Sequence, residues 1–299
     1  MSSTDVSLPQ NNQSKICCSF RPNRNFRKTL TIALMAMLLG PFAKAQGEFP
    51  YPHIPDSITV NHDRLSWMLN NFWNNFNFKN ESANNLKIGE QGFVDFINLM
   101  NSADSAQSAM AASLFAGKVM ITSHSIIMQK IFKDLAEHYL GNPYSPMRND
   151  RTYATLTEAV AAMPDSVISS TQRIRLLDKS RTLRLNLPGE IANNFTYTTS
   201  DNKTATLHET SANLLLLYFY DPDCDQCKET QKRMEQSDVL KDKRLSVLRI
   251  NPADYDLAEK QLYWFERMPS LYLLDNDKRI IVKDGTIDDV ENKLRAILK

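Results

Sequence analysis

Hydrophobic residues recur at helical spacing through the first half of the chain and at strand spacing through the second. Leu65, Leu69, Phe72 and Phe76 fall three and four residues apart, and Phe93, Phe96, Ile97 and Met100 repeat the interval. That spacing marks amphipathic helices with one apolar face. Residues 103–140, rich in Ala, Ser, Met and Ile, read as two helices that stop at Gly141-Asn142-Pro143, a sequence that cannot continue a helix. Further helical stretches follow at 153–163 and 167–185. The aromatic set Trp67, Phe72, Trp73, Phe76 and Phe78 shares this spacing, which points to core rather than to a ligand groove. His124 and His138 fit no metal-ligand spacing.

At Pro188-Gly189 the period changes. The segment FTYTTSDNKTATLHE alternates polar and β-forming residues around Asp201-Asn202-Lys203, a hairpin signal. Beyond it the pattern predicts a buried strand at 214–220, a helix at 227–240, a second core strand at 245–250 and a helix at 254–265. Two strands at 271–274 and 279–283 then flank an Asn276-Asp277 turn, and a helix closes the chain at 287–298. The expected architecture is an α+β two-domain chain. A helical domain over 46–187 precedes an α/β domain with a central mixed sheet over 188–299, and a length of 299 residues suits two domains of about 100–150 residues each.

Residues 1–45 read differently. Arg21, Arg24, Arg27 and Lys28 precede a short apolar segment at 30–39, and Ala43-Lys44-Ala45 follows Gly40-Pro41. That order is the pattern of a secretory signal peptide cleaved after Ala45. The apolar segment falls short of the roughly 20 residues of a membrane-spanning helix, so the expected mature form begins at Gln46 without a stable membrane span, in the periplasm or cell envelope. A formal charge of +1 with no long basic block removes the electrostatic footprint of nucleic-acid binding. Cys17 and Cys18 lie in the leader, so the mature chain keeps only Cys224 and Cys227 of the four cysteines.

Those two end an apolar run: LLLLYFYDPDCDQCKET breaks from strand pattern at Asp221 and delivers paired thiols where a helix should begin. A cysteine at the start of a helix meets unpaired backbone N–H groups and the positive end of the helix dipole, both of which favour thiolate. A second cysteine three residues on lies one turn away, within reach of a mixed disulfide on the first. Cys224 is thus the expected attacking thiol and Cys227 the resolving one. A zinc site would need two further ligands that the chain does not offer at suitable spacing. A purely structural disulfide would close too small a loop to constrain the chain much.

A strand, then Cys-x-x-Cys opening a helix, then Met268-Pro269 entering a strand about 45 residues later resembles the thioredoxin-like fold. The resemblance covers 188–299, and the opening hairpin is similar to the extension of exported thiol-disulfide oxidoreductases. It implies that Pro269 is cis and that Met268 and Pro269 present backbone to substrate beside Cys224. It further implies protein disulfides as substrates, an envelope thiol donor as partner, and no bound cofactor or metal. The helical half looks like a domain of unknown function found before thioredoxin-like modules in envelope proteins, and brings no activity with it. Thioredoxin carries flanking tryptophans and a buried carboxylate where this chain has Tyr220, Asp223 and Tyr218, so the buried proton acceptor is missing.

The leading expectation is an exported thiol-disulfide oxidoreductase. The competing one is an envelope binding or scaffold protein whose thioredoxin-like domain is redox-silent. Asp221, Asp223 and Asp225 crowd Cys224 and disfavour its thiolate, an effect that Lys228 partly offsets. A less stabilised thiolate makes the reduced dithiol the better donor, which predicts a reductant.

Overall fold

The computed structural model describes residues 47–299. The basic leader, Cys17 and Cys18, the apolar segment and the expected cleavage site after Ala45 lie outside the described residues. Gly47–Lys299 forms one compact unit. No helix among the described residues is long and apolar enough to cross a membrane.

Six helices build the first half: α1 (Asn61–Asn71), α2 (Ala83–Asn101), α3 (Ser105–Gly117), α4 (Ile126–Ala136), α5 (Asp150–Ala161) and α6 (Ser170–Arg184). Five of the six start at side chains that accept otherwise unpaired N–H groups, α1 following the uncapped Val60. Ser82 caps α2, Asn149 caps α5, and full capping boxes at Asp104/Gln107 and Ser169/Gln172 open α3 and α6. The inward faces bury one aromatic cluster. Phe49, Phe72, Phe76, Phe78, Phe96, Phe115 and Phe132 surround Trp73 with ring centroids 4.9–5.6 Å away. The Phe49 ring lies so close to α2 that any Cβ at Gly92 would overlap it, which explains a glycine inside a helix despite its conformational cost. Of the aromatic set on helical spacing, four residues are buried and Trp67 is half-buried.

The second half opens with the hairpin β1 (Thr196–Thr198) and β2 (Thr204–Thr206), paired antiparallel from Thr196 opposite Thr206. A four-stranded mixed sheet follows: β3 (Leu214–Phe219), β4 (Leu245–Ile250), β5 (Ser270–Asp275) and β6 (Ile280–Gly285), in the order β4-β3-β5-β6. β4 runs parallel to β3, whereas β5 is antiparallel to both β3 and β6. β3 is buried along its whole length, as its unbroken apolar run requires. Leu215, Leu217 and Phe219 pack with Tyr263 and Tyr272 on one face, and Leu214, Leu216 and Tyr218 pack on the other. Helices α7 (Asp225–Gln236) and α8 (Ile287–Ile297) serve the second face, through Met234 on one and Val290 and Leu294 on the other.

Two expectations fail. Residues 254–265 form no α-helix: a single 3-10 turn at Pro252–Tyr255 ends in left-handed backbone at Asp256, and Gln261 is left-handed as well. Long-range bonds replace the helical ones there. The Tyr263 hydroxyl donates to the Asn193 carbonyl at 2.8 Å, and the Leu262 carbonyl accepts from the side chains of Asn186 and Asn193 at 2.8 Å each. β4 is an edge strand with much of its surface exposed, not a core strand, because no strand among the described residues pairs with its outer side. A smaller difference concerns the 227–240 helix, which begins at Asp225, stops at Gln236 where Ser237 turns extended, and is followed by a separate 3-10 turn.

Candidate functional site

The buried strand β3 ends at Phe219, and the chain crosses an exposed turn before α7 begins. Cys224 is the N-cap of α7. Its backbone is extended, and its sulfur accepts the Cys227 backbone N–H at 3.1 Å. A sulfur in that position meets the positive end of the helix. Cys224 is half-buried, whereas Cys227 lies one turn inward at 3% exposure. The two are joined as a disulfide with Cα atoms 5.2 Å apart. One thiol can therefore meet a large partner while the other can only follow behind it.

The opposite wall comes from the segment that leads into β5. The Met268-Pro269 peptide is cis, and the Met268 carbonyl oxygen lies 3.7 Å from the Cys224 sulfur. Pro269 itself is buried and Met268 half-buried. The chain thus brings together Cys224, Cys227, Met268 and Pro269, which the sequence pattern singled out.

The acidic residues are arranged less simply. Asp221, Asp223 and Asp225 are all exposed. Asp221 accepts the Asp223 backbone N–H at 2.8 Å. Asp225, 97% exposed, pairs with Lys228 at 3.2 Å, so Lys228 faces a carboxylate rather than the thiol. Tyr218 sits beneath the pair at 1% exposure, and its hydroxyl donates to the Cys227 carbonyl at 2.7 Å. Burial raises its pKa above the ordinary phenol value, against the pull of Arg249, so Tyr218 is a neutral donor. Arg249 on β4 stacks over the rings of Tyr218 and Tyr220, at 5.7 and 5.4 Å. No sequence pattern marked Arg249, because its relation to Tyr218 exists only through the pairing of β3 with β4.

The mixed sheet, the thiol pair at a helix N-terminus and the adjoining cis-proline define a thioredoxin-like protein with a fold of the redox type. Over residues 13–186 the chain matches the family described as a domain of unknown function, DUF5106, and it belongs to that family. A thioredoxin-like protein from Bacteroides caccae shares 28% identity, with a TM-score of 0.64 over 83% of this chain and 98% of its own. That coverage takes in both halves. The C-terminal domain of an uncharacterized Bacteroides fragilis protein is 31% identical over 37% of this chain and 98% of its own, with a TM-score of 0.35. The thioredoxin domain of a thiol-disulfide oxidoreductase from Bacteroides vulgatus is 19% identical over 38% of this chain and 98% of its own, with a TM-score of 0.29. No curated protein matches the chain.

Proposed function

We propose that the protein is an exported thiol-disulfide oxidoreductase that reduces protein disulfides. The observation that carries this reading is the asymmetry of the pair: a half-buried Cys224 as the N-cap of a helix, with Cys227 buried one turn behind it. In the reduced protein the Cys224 thiolate attacks one sulfur of a substrate disulfide. A mixed disulfide forms and the first substrate thiolate leaves. The Cys227 thiolate then attacks the Cys224 sulfur, the second substrate thiolate leaves, and the Cys224–Cys227 disulfide remains. Two electrons pass from the dithiol to the substrate, and the two departing thiolates take up protons. An envelope thiol donor restores the dithiol by the same exchange in reverse. Met268 and Pro269 offer backbone to the incoming chain, and Tyr218 holds the carbonyl of the resolving residue.

The test is insulin reduction by the dithiothreitol-reduced chain. Cys224→Ser should abolish turnover, and Cys227→Ser should retain substrates as mixed disulfides through Cys224. Full activity in Cys224→Ser would refute the reading. The scaffold alternative draws on Met110 and Leu114, one turn apart on α3, and Ile126 and Ile127 at the start of α4, all exposed. It predicts no turnover in the wild type.

A further inference from the structure

The helical half reaches the wall of the thiol site through a short chain of buried polar contacts. Arg148 lies in the segment before α5. Its guanidinium donates to the Asp284 backbone carbonyl at 2.9 Å and to one Asp284 carboxylate oxygen at 3.1 Å. The other carboxylate oxygen accepts the hydroxyl of Ser270 at 2.7 Å. Ser270, fully buried, directly follows Pro269. On the other side of the cis peptide, Arg267 donates to the same Asp284 carbonyl at 3.3 Å and stacks over the ring of Tyr144, at 5.2 Å, from the helical half. Both flanks of Met268-Pro269 therefore converge on Asp284, and Arg148 holds Asp284.

A second contact doubles the tie. Arg148 also donates to Asp150 at 3.2 Å, and Asp150 pairs with Lys283 of β6 at 2.6 Å. Two cations and two carboxylates neutralise each other, with side-chain exposures of 7–19%. Such a set is costly to build unless every member is paired and hydrogen-bonded. None of its members touches the Cys224 sulfur, so its effect on the site runs through Ser270 and Arg267.

We propose that the helical half positions the substrate wall of the thiol site, with Arg148 as the positioning residue acting through Asp284 on residues 267–270. The functional part of this inference rests on the reading of Cys224 as the redox thiol. A protein disulfide approaching half-exposed Cys224 must lie against the Met268 carbonyl, 3.7 Å from the sulfur. A small disulfide can reach the sulfur without that contact. Loosening the wall should therefore weaken protein substrates selectively.

Two variants of the full chain test this. Arg148→Lys keeps the charge but loses the planar fork that reaches three acceptors at once. Ser270→Ala removes the link from the other end with little change in volume. Amide hydrogen exchange at 264–271 should quicken at least tenfold in both, while β3 stays within twofold of wild type. In insulin reduction the KM should rise at least fivefold with kcat unchanged, and reduction of a small aromatic disulfide should stay within twofold. Unchanged exchange at 264–271, equal acceleration in β3, or an insulin KM within twofold of wild type would each overturn the proposal. A wild type that reduces neither substrate would instead sink the redox reading, and the exchange result would still decide whether Arg148 positions the wall.

Discussion

Asp150→Asn isolates the energetic weight of the buried charge cluster. Asp150 opens α5 with its side chain 7% exposed, and its two oxygens face Arg148 at 3.2 Å and Lys283 at 2.6 Å. Lys283 is 9% exposed, and burial lowers its pKa below the ordinary lysine value while Asp150 pulls it back up. Asparagine preserves the shape but removes the charge. Stripping one partner from a buried ion pair costs about 3–5 kcal/mol. Here Arg148 keeps Asp284, Lys283 keeps the Leu183 carbonyl at 2.8 Å, and the amide oxygen can still accept one bond. The low end, about 3 kcal/mol, is therefore expected. For a unit of this size that lowers Tm by roughly 6–12 °C.

The pH dependence carries the sign. A lysine whose folded pKa lies below its unfolded value binds fewer protons when folded, in the interval between the two values, so stability rises with pH across that interval. In the wild type Asp150 keeps this interval narrow. Asp150→Asn extends it downward, because the cation loses its counter-charge while remaining buried. The stability deficit should therefore be largest at pH 7 and shrink toward pH 10, as Lys283 sheds its proton. Urea denaturation of wild type and variant at both pH values measures this directly. A deficit below about 1 kcal/mol at pH 7, under the range for a broken buried pair, would refute the reasoning. So would a deficit that does not shrink by pH 10.

Three further outcomes are expected. Equilibration against a glutathione series should place the Cys224–Cys227 couple nearer thioredoxin's value of about −270 mV than the roughly −120 mV of strong oxidants, and a potential above about −180 mV would overturn the assignment as a reductant. Replacing Asp223 and Asp225 together with Asn should move that potential upward by less than about 45 mV, since each exposed charge contributes at most about 1 kcal/mol and about 1.4 kcal/mol corresponds to 30 mV. A shift of 60 mV or more would mean that these carboxylates reach the sulfur more strongly than their exposure allows. Mass spectrometry of the secreted protein should find Gln46 as its first residue, and retention of residues 30–39 would identify an anchor instead.

Local patterns in the chain are sufficient for the helices of the first half and for β3, β5 and β6. Their signals are apolar spacing and turn residues, which act within a few positions. The thiol pair was legible for the same reason: a buried strand that breaks into Cys-x-x-Cys at a helix start is local chemistry. Residues 254–265 misled because their helical spacing lost to contacts with Asn186 and Asn193, about 70 positions away, which no local pattern encodes. β4 misled because an apolar-looking segment cannot report whether a further strand will pair beyond it. Arg249 reaches Tyr218 only once β4 lies beside β3. Arg148 and Asp284, 136 residues apart, meet only when the helical half packs against β6, since a charge-assisted bond needs both ends within about 3 Å and the sequence sets no such distance. The sequence by itself therefore determined which residues could do thiol chemistry and, through the resemblance, which proline lies beside them, while tertiary packing decided what holds that wall in place.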